Sequence, residues 1–468
     1  MLQNNLENPI FPIVSRLARD LGVEAYVIGG YVRDFFLQRT LTDIDITVVG
    51  DGVALAKALG RELKTNVTVY KNFGTAALRY EGCEIEFVGA RRESYSRDSR
   101  KPRVEIGTLS DDQRRRDFTI NAMAFSLNEG SYGALLDPFE GILDLERKII
   151  RTPLDPDTTF SDDPLRMMRA VRFATQLGFD LDPVTQESII RNAPRLEIIS
   201  AERILTELNK IMASGDPARG WRMLDQCALL KEFLPELVNL KGVDRVEGKA
   251  HKDNFVHTLQ VLENITPHTD KLYLRWAALF HDIAKPQTKK FEQKQGWTFH
   301  GHEVLGSKMM PRIFRRLKLP MDERLKYVQK LIFLHLRPII LSQEIVTDSA
   351  VRRMLFEAGD DIDDLMTLCE ADITSGDGKK VERYLRNFAL VRQKLVDIEE
   401  KDRLRNFQPP IDGSLIMRTY GLEPCNTIGE LKTIIKDAIL DGQIPNEFDA
   451  AFALLEQLAA ERGLKKVE

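Results

Sequence analysis

The sequence predicts an α/β segment of about 150 residues followed by an all-α remainder, on three observations. Short strand and helix patterns alternate up to about residue 150. Strand signals then give way to amphipathic helical stretches, and six of the seven histidines fall between residues 250 and 302, which marks a further unit. Length agrees, because 468 residues at roughly 150 per domain suggest about three domains rather than one core.

The elements follow in order. VEAYVIGG reads as a strand ending in a glycine turn, with a helix pattern at 31–38. DIDITVVGDG is a second strand followed by a helix at 52–63, and NVTVYKN, TAALRY and CEIEFVG are three more strands. Pro153 and Pro156 mark a boundary. From about Asp162 come the helical stretches PLRMMRAVRFATQLGF, SAERILTELNKIM and GWRMLDQCALLKEFLPEL. A weaker break lies at 241–250, and from about Ser375 the chain is helix-patterned with an interruption at Pro409 and Pro410. The expected division is 1–150, 151–244, 245–375 and 376–468.

Composition narrows the class. With 67 Lys and Arg against 71 Asp and Glu the net charge is −4, and 43% hydrophobic with 29% charged residues excludes disordered and collagen-like chains. Any polyanion contact must come from a local basic patch. Four scattered cysteines without a CxxC pair fit neither a disulfide framework nor a zinc ribbon. No apolar run approaches a membrane span and the N-terminus carries no signal pattern, so the expected location is cytoplasmic, away from any membrane.

Two constellations carry chemistry. In LTDIDITVVG the two-residue period puts Asp43, Asp45 and Thr47 on one strand face and Ile44, Ile46 and Val48 on the other. Two carboxylates on one face repel unless a cation sits between them, and magnesium is the natural candidate. Just upstream, Gly29 and Gly30 at a strand-to-helix turn let backbone N–H groups close on a phosphate. Glu84 and Glu86 share a face of a later strand, from which Glu86 could supply a third acid. Paired metals, a polyphosphate cradle and three acids suit in-line nucleotidyl transfer. The second constellation is the ordered series His257, His281-Asp282, His302, His335, Asp372, in which His281 and Asp282 end an apolar helix; His300, two residues from His302, is an alternative ligand.

Over roughly residues 20–240 the chain resembles the class II tRNA nucleotidyltransferase and bacterial poly(A) polymerase family. The motifs run in order: GGYVRD at Gly29–Asp34, DID at Asp43–Asp45, ARRESY at Ala90–Tyr95, RRDFTINAMA at Arg115–Ala124, DPFEGILDL at Asp137–Leu145, SDDPLRMMRAVRF at Ser161–Phe173 and AERILTELNKI at Ala201–Ile211. The resemblance implies a polymerase-β-like nucleotidyltransferase head followed by a helical neck and body. In it Asp43 and Asp45 bind Mg2+ with Glu86 as third acid, and Gly29, Gly30, Arg33, Arg115 and Arg116 meet the nucleotide. Asp117 and Asn121 hold the site together. Asp162 or Asp163 pairs with Arg166 to read the base, with Arg169 and Arg172 in the same motif. At i and i+3 on a helix, Asp163 and Arg166 are expected to face one side. The stretch between Glu93 and Asp112 corresponds to a flexible loop that two-cytidine enzymes lack.

Over 245–375 the chain resembles the HD-domain phosphohydrolases. That implies a divalent metal of unnamed identity on His257, His281, Asp282, His302, His335 and Asp372, with Lys285 steadying a phosphate. Taken together, the resemblances imply addition of C, C and A to the tRNA 3′ end from CTP and ATP, with an accessory phosphatase or phosphodiesterase and no stable protein partner. Val48-Val49-Gly50-Asp51-Gly52, where poly(A) polymerases carry a basic stretch, favours CCA addition over a poly(A) polymerase. A metal phosphohydrolase with an RNA-binding head is the remaining alternative.

Overall fold

The computed structural model describes residues 6, 8–41, 43–70, 74–96, 99–343, 347–374, 378–402 and 409–467. The chain forms two compact units, Met1–Pro235 and Glu236–Glu468.

The first unit is built on a seven-stranded sheet. After helix α1 (Ile10–Leu21) come strand β1 (Glu24–Ile28), α2 (Gly30–Phe36), β2 (Asp43–Val49), α3 (Gly52–Glu62), β3 (Val67–Tyr70), β4 (Thr75–Tyr80) and β5 (Cys83–Gly89). A ribbon of β6 (Arg91–Ser96) and β7 (Ser99–Ile106) follows, then α4 (Leu109–Arg114), β8 (Ala124–Ser126) and β9 (Leu135–Leu136). The sheet order is β3-β4-β5-β2-β1-β8-β9, in which β2 and β5 run parallel and the other neighbours antiparallel. A parallel pair needs a crossover, which α3 and the β3–β4 hairpin supply. Ile44, Ile46 and Val48 are buried with Leu55, Leu59, Ile85 and Phe87, so this apolar face forms the core and turns the carboxylate face outward. On that second face Thr47 is nonetheless buried, its hydroxyl donating to Asp112 Oδ2 at 3.3 Å.

Two sequence expectations are revised here. The stretch expected as a flexible loop is a two-stranded ribbon to Ile106 and then a helix started by a Thr108–Asp111 capping box; Arg97 and Asp98 lie outside the described residues. The helical remainder also contains strands: Ile149–Ile150 pairs in parallel with Asp180–Leu181, beyond the point where strand signals stop.

The rest of the unit is helical: α5 (Gly141–Arg147), α6 (Pro156–Asp162), α7 (Leu165–Leu177), α8 (Pro183–Asn192), α9 (Ala201–Met212) and α10 (Pro217–Gln226). Asp155, Asp182 and Asp216 start α6, α8 and α10 alike, each carboxylate accepting a backbone N–H of the first turn, with proline next in the chain. Proline lacks the N–H that would have no partner there, and its fixed φ suits a helix start.

The second unit is mainly helical around Trp276, Phe280, Phe314 and Leu331. Helices Asn254–Ile265, Leu272–Phe280, His302–Leu317, Glu323–Leu334 and Ile362–Ala371 carry the histidines and acids of the second constellation at or near their ends. Two short hairpins, Arg245–Val246 with Lys249–Ala250 and Lys290–Glu292 with Gly296–Thr298, interrupt it. Helices Gly378–Asp402, Gly413–Tyr420, Asn426–Leu440 and Phe448–Glu461 complete the chain. Among the described residues no helix is long and apolar enough to cross a membrane.

Candidate active site and metal centre

Pairing of β2 with β5 sets Asp43 opposite Glu84 and Asp45 opposite Glu86, so two rows of carboxylates meet on one face. All four line a cleft of 540 Å3. Burial pushes the Asp45 carboxyl up from its ordinary range, with Arg116 pulling the other way and Asp43 adding to the rise. Glu86 is raised by burial and by Asp45. Carboxyls crowded and desolvated in this way form an oxygen donor set that fits a divalent cation.

Gly29 and Gly30 form the rim where β1 turns into α2. Gly29 has φ +82°, and a Cβ there would meet Arg116 Nη1 at 2.8 Å, so only glycine lets the arginine lie this close to the turn. Arg33 donates to Asn121 Oδ1 at 2.8 Å and to Asp34 at 2.9 and 2.7 Å. Asn121 Nδ2 in turn donates to Asp117 Oδ1 at 3.1 Å, and Arg169 Nε to Asp117 Oδ2 at 2.7 Å. Burial opposes ionisation of Asp117, but Arg169 and Asn121 outweigh it and hold the carboxyl down at about 2. Arg115 and Arg116 are fixed on the buried Asp112, at 2.9 Å from Arg115 Nε and 3.2 Å from Arg116 Nη2. Arg33, Arg169 and Arg172 surround the Phe173 ring at 5.2, 5.3 and 3.9 Å.

A second pocket, of 390 Å3, shares Arg116, Asp117 and Arg169 with the first and adds Arg115, Asp163, Arg166 and Arg203. The expected i,i+3 pair on one helix is corrected: Asp163 lies outside both helices, in extended conformation (φ −139°, ψ 99°) between α6 and α7. Pro164 disfavours helical geometry in the residue before it. Asp163 and Arg166 still line one pocket, because Asp163 Oδ1 accepts from Leu165 N–H at 3.1 Å and Arg166 Nη2 donates to Arg115 O at 2.7 Å. Asp162, the last residue of α6, lines neither pocket.

Sequence reasoning missed the contribution of α9. Arg203, Thr206 and Glu207 line the second pocket and Lys210 the first. Glu207 pairs with the buried Arg172 at 2.9 Å, and Arg203 Nη2 lies 3.6 Å from Asp163 Oδ2. The i, i+4, i+7 spacing of Arg203, Glu207 and Lys210 inside AERILTELNKI was the available signal.

In the second unit the ordered series converges. His257 Nε2 lies 3.2 Å from Asp282 Oδ2 and 2.9 Å from Asp372 Oδ1; His281 Nε2 lies 3.2 and 3.5 Å from the same two atoms. His302 Nε2 is 3.2 Å and His335 Nε2 3.9 Å from Asp282 Oδ1. Two groups result, His257, His281 and Asp372, and Asp282, His302 and His335; His300 belongs to neither. His281, His302 and His335 each donate Nδ1–H to the backbone carbonyl three residues back, at 2.7, 2.7 and 2.6 Å. That turns their Nε2 atoms inward, with His302 and His335 Nε2 only 3.3 Å apart. Among the described residues the buried His281 Nε2 and Asp282 Oδ1 have no hydrogen-bond partner. Burial and the neighbouring His281 push His335 down to about 3, so its imidazole is neutral. The set fits metal ions at a fork centred on Asp282. Lys285 Nζ sits 2.5 Å from Asp282 Oδ2, a cation already at the fork.

Residues 25–151 match the Poly A polymerase head domain, 178–240 the probable RNA and SrmB-binding site of polymerase A, and 254–377 the HD domain. An A-adding tRNA nucleotidyltransferase of Deinococcus radiodurans is 34% identical over 348 residues, covering 72% of this chain and 76% of that protein. A multifunctional CCA protein of Shewanella frigidimarina is 35% identical over 318 residues, covering 64% and 71%. An A-adding tRNA nucleotidyltransferase of Aquifex aeolicus is 39% identical over 212 residues, 44% of this chain, which spans only 26% of that relative's length. The fold is similar to that of a CCA-adding enzyme solved with CTP, at TM-score 0.65 and 22% identity over 98% of this chain and 97% of that one. It is also similar to a Thermotoga maritima CCA-adding enzyme complexed with tRNA, at TM-score 0.60 and 22% identity over 97% and 95%. A carboxylate cleft joined to an arginine-lined pocket, with sequence kinship over most of the chain, makes this protein a nucleotidyltransferase enzyme belonging to the tRNA nucleotidyltransferase family, with an HD domain in the same chain.

Proposed function

We propose that the protein completes the 3′ end of tRNA in the cytoplasm, adding C, C and A from CTP and ATP without a template. The observation that carries this reading is a pair of arginine-lined pockets that share Arg116, Asp117 and Arg169, one holding the carboxylates Asp43, Asp45, Glu84 and Glu86 and the other Asp163 and Arg166. Arg33, Arg116 and Arg169 line the cleft where a triphosphate would lie, and the Gly29–Gly30 turn lets backbone approach it. Asp163 can accept from the exocyclic amine that cytosine and adenine share, while Arg166 donates to the ring acceptors. Divalent cations, Mg2+ on Asp43 and Asp45 and an ion of unnamed identity on the HD cluster, would when bound neutralise phosphate charge and activate an attacking oxygen. Glu86 completes the acid set, and Asp117 with Asn121 keeps Arg169 and Arg33 directed at the cleft. In the HD unit the residues support phosphate-ester hydrolysis, with Lys285 as the phosphate's point charge.

A second reading, addition of the terminal A alone, is favoured by relatives in Aquifex aeolicus and Deinococcus radiodurans that are A-adding enzymes. One experiment separates the readings. Purified protein with Mg2+ is given tRNA ending at the discriminator base, or ending in CC, with CTP, ATP or both, and products are resolved at single-nucleotide length. Three nucleotides added to the shorter tRNA only with both substrates supports CCA addition. A single A on the CC-ended tRNA, with the shorter one untouched, supports A addition, and a long ladder with ATP alone means a poly(A) polymerase. For the HD unit, a 2′,3′-cyclic phosphate hydrolysed equally by wild type and Asp282→Ala sinks the hydrolase reading.

A further inference from the structure

The four histidines of the HD cluster are not oriented alike. For His281, His302 and His335 the Nδ1–H acceptor is the carbonyl three residues back, part of the main chain at a helix end. His257 sits inside helix Asn254–Ile265, where the preceding carbonyls serve the helix itself. Its Nδ1 instead meets the hydroxyl of Thr374 at 2.7 Å, 117 residues along the chain. Among the described residues, His257 is thus the one histidine of the cluster whose Nδ1 hydrogen bond goes to a side chain rather than to the main chain.

Thr374 is itself held in place. Its carbonyl accepts from Lys252 Nζ at 2.7 Å, and the carbonyl of Ala371, the residue just before Asp372, accepts from Asn264 Nδ2 at 2.9 Å. The segment 371–374 is therefore fastened at both ends to the region that carries His257, and it supplies both Asp372 and the hydroxyl that turns the His257 ring.

We propose that Thr374 is a positioning residue for one half of the metal centre: its hydroxyl fixes the His257 ring so that Nε2 faces Asp372 and Asp282, and the ion held by His257, His281 and Asp372 depends on it while the ion held by Asp282, His302 and His335 does not. The inference rests on the reading of the cluster as a metal centre. Without the hydroxyl, the buried Nδ1–H of His257 loses its acceptor and the ring is free to turn, presenting carbon or the wrong nitrogen to the cluster. The second half keeps its main-chain acceptors, which no side-chain substitution removes.

The test uses the full chain carrying Asp43→Asn and Asp45→Asn, so that bound ions report the HD unit. Co2+ is the probe, titrated by calorimetry with its d–d absorption recorded in parallel. The parent is expected to bind two Co2+. Thr374→Val should bind one of them about 10- to 100-fold more weakly with the other unchanged, and Thr374→Ser should restore both. Thr374→Ala removes the same hydroxyl without a branched side chain, should valine prevent folding, and should behave as valine does. Wild-type affinities in the valine and alanine variants, equal weakening of both ions, or failure of serine to restore would overturn the proposal. A parent that binds no Co2+ removes the metal-centre reading and the proposal with it, whereas a parent that binds two beside an unaffected Thr374→Val removes the proposal alone.

Discussion

Asp117→Asn isolates the charge network that joins the two pockets. The wild-type carboxyl is held at about 2 against an ordinary 3.8, because Arg169 and Asn121 outweigh the burial that opposes ionisation. At about 1.4 kcal/mol for each tenfold change in acidity, that drop is about 2 kcal/mol in favour of the folded state, and the side chain is buried enough that solvent screening takes little from it. The amide keeps the shape but offers Arg169 no charge, so the first unit should lose about 2 kcal/mol near neutral pH. For a unit of this size that is a fall in Tm of roughly 4–8 °C. The sign with pH follows from a folded pKa below the unfolded one: the contribution is complete above about pH 4 to 5 and disappears as pH falls through about 2. Calorimetry that resolves the first unit's transition, run from pH 7 down to pH 3, should show wild type and variant separated at pH 7 and converging toward acid. Equal melting at pH 7, or a gap that persists undiminished at pH 3, would refute the argument.

Asp45→Asn should abolish nucleotide addition, by at least about 10^3-fold, while leaving Tm equal or higher, since a raised carboxyl pKa means the ionised group burdens the fold at neutral pH; a drop in Tm would contradict this. Gly29→Ala should cost about 1–2 kcal/mol at φ +82° and displace Arg116, read as a raised KM for nucleotide together with a lower Tm. Asp163→Ala and Arg166→Ala should erode discrimination of CTP and ATP against UTP and GTP more than they lower Tm, measured by single-nucleotide incorporation; Asp162→Ala should leave discrimination intact. In the HD cluster, burial pulls His281 down but Asp282 and Asp372 outweigh it and hold the imidazole up to about 10. A cation must displace that proton, so Mn2+ should raise the second unit's Tm more at pH 8 than at pH 6, and equal shifts would show that no proton is exchanged.

What a stretch of chain can determine by itself was determined. The two-residue period of DIDITVV put Asp43 and Asp45 on one face, as strand β2 has them. The order of histidines around HD named the five groups that gather around Asp282. These signals are local: a period or a capping residue acts within one element and is written in neighbouring residues. Partners across the fold were decided elsewhere. Glu84 and Glu86 stand beside Asp43 and Asp45 only because β2 and β5 pair in parallel in one register, with a helix and a hairpin between them. Asp163 rather than Asp162 lines the pocket because Pro164 breaks the helix and Arg166 is tied to Arg115 O from another part of the chain. Arg203 and Glu207 lay in a quoted motif, yet their meeting with Asp163 and Arg172 depends on how α9 packs on α7. Thr374 gave no signal at all, since nothing near residue 374 reveals that His257 lacks a main-chain acceptor for its Nδ1. Register and packing are settled by which surfaces bury together, an energy shared over the whole unit, and no window of sequence contains it.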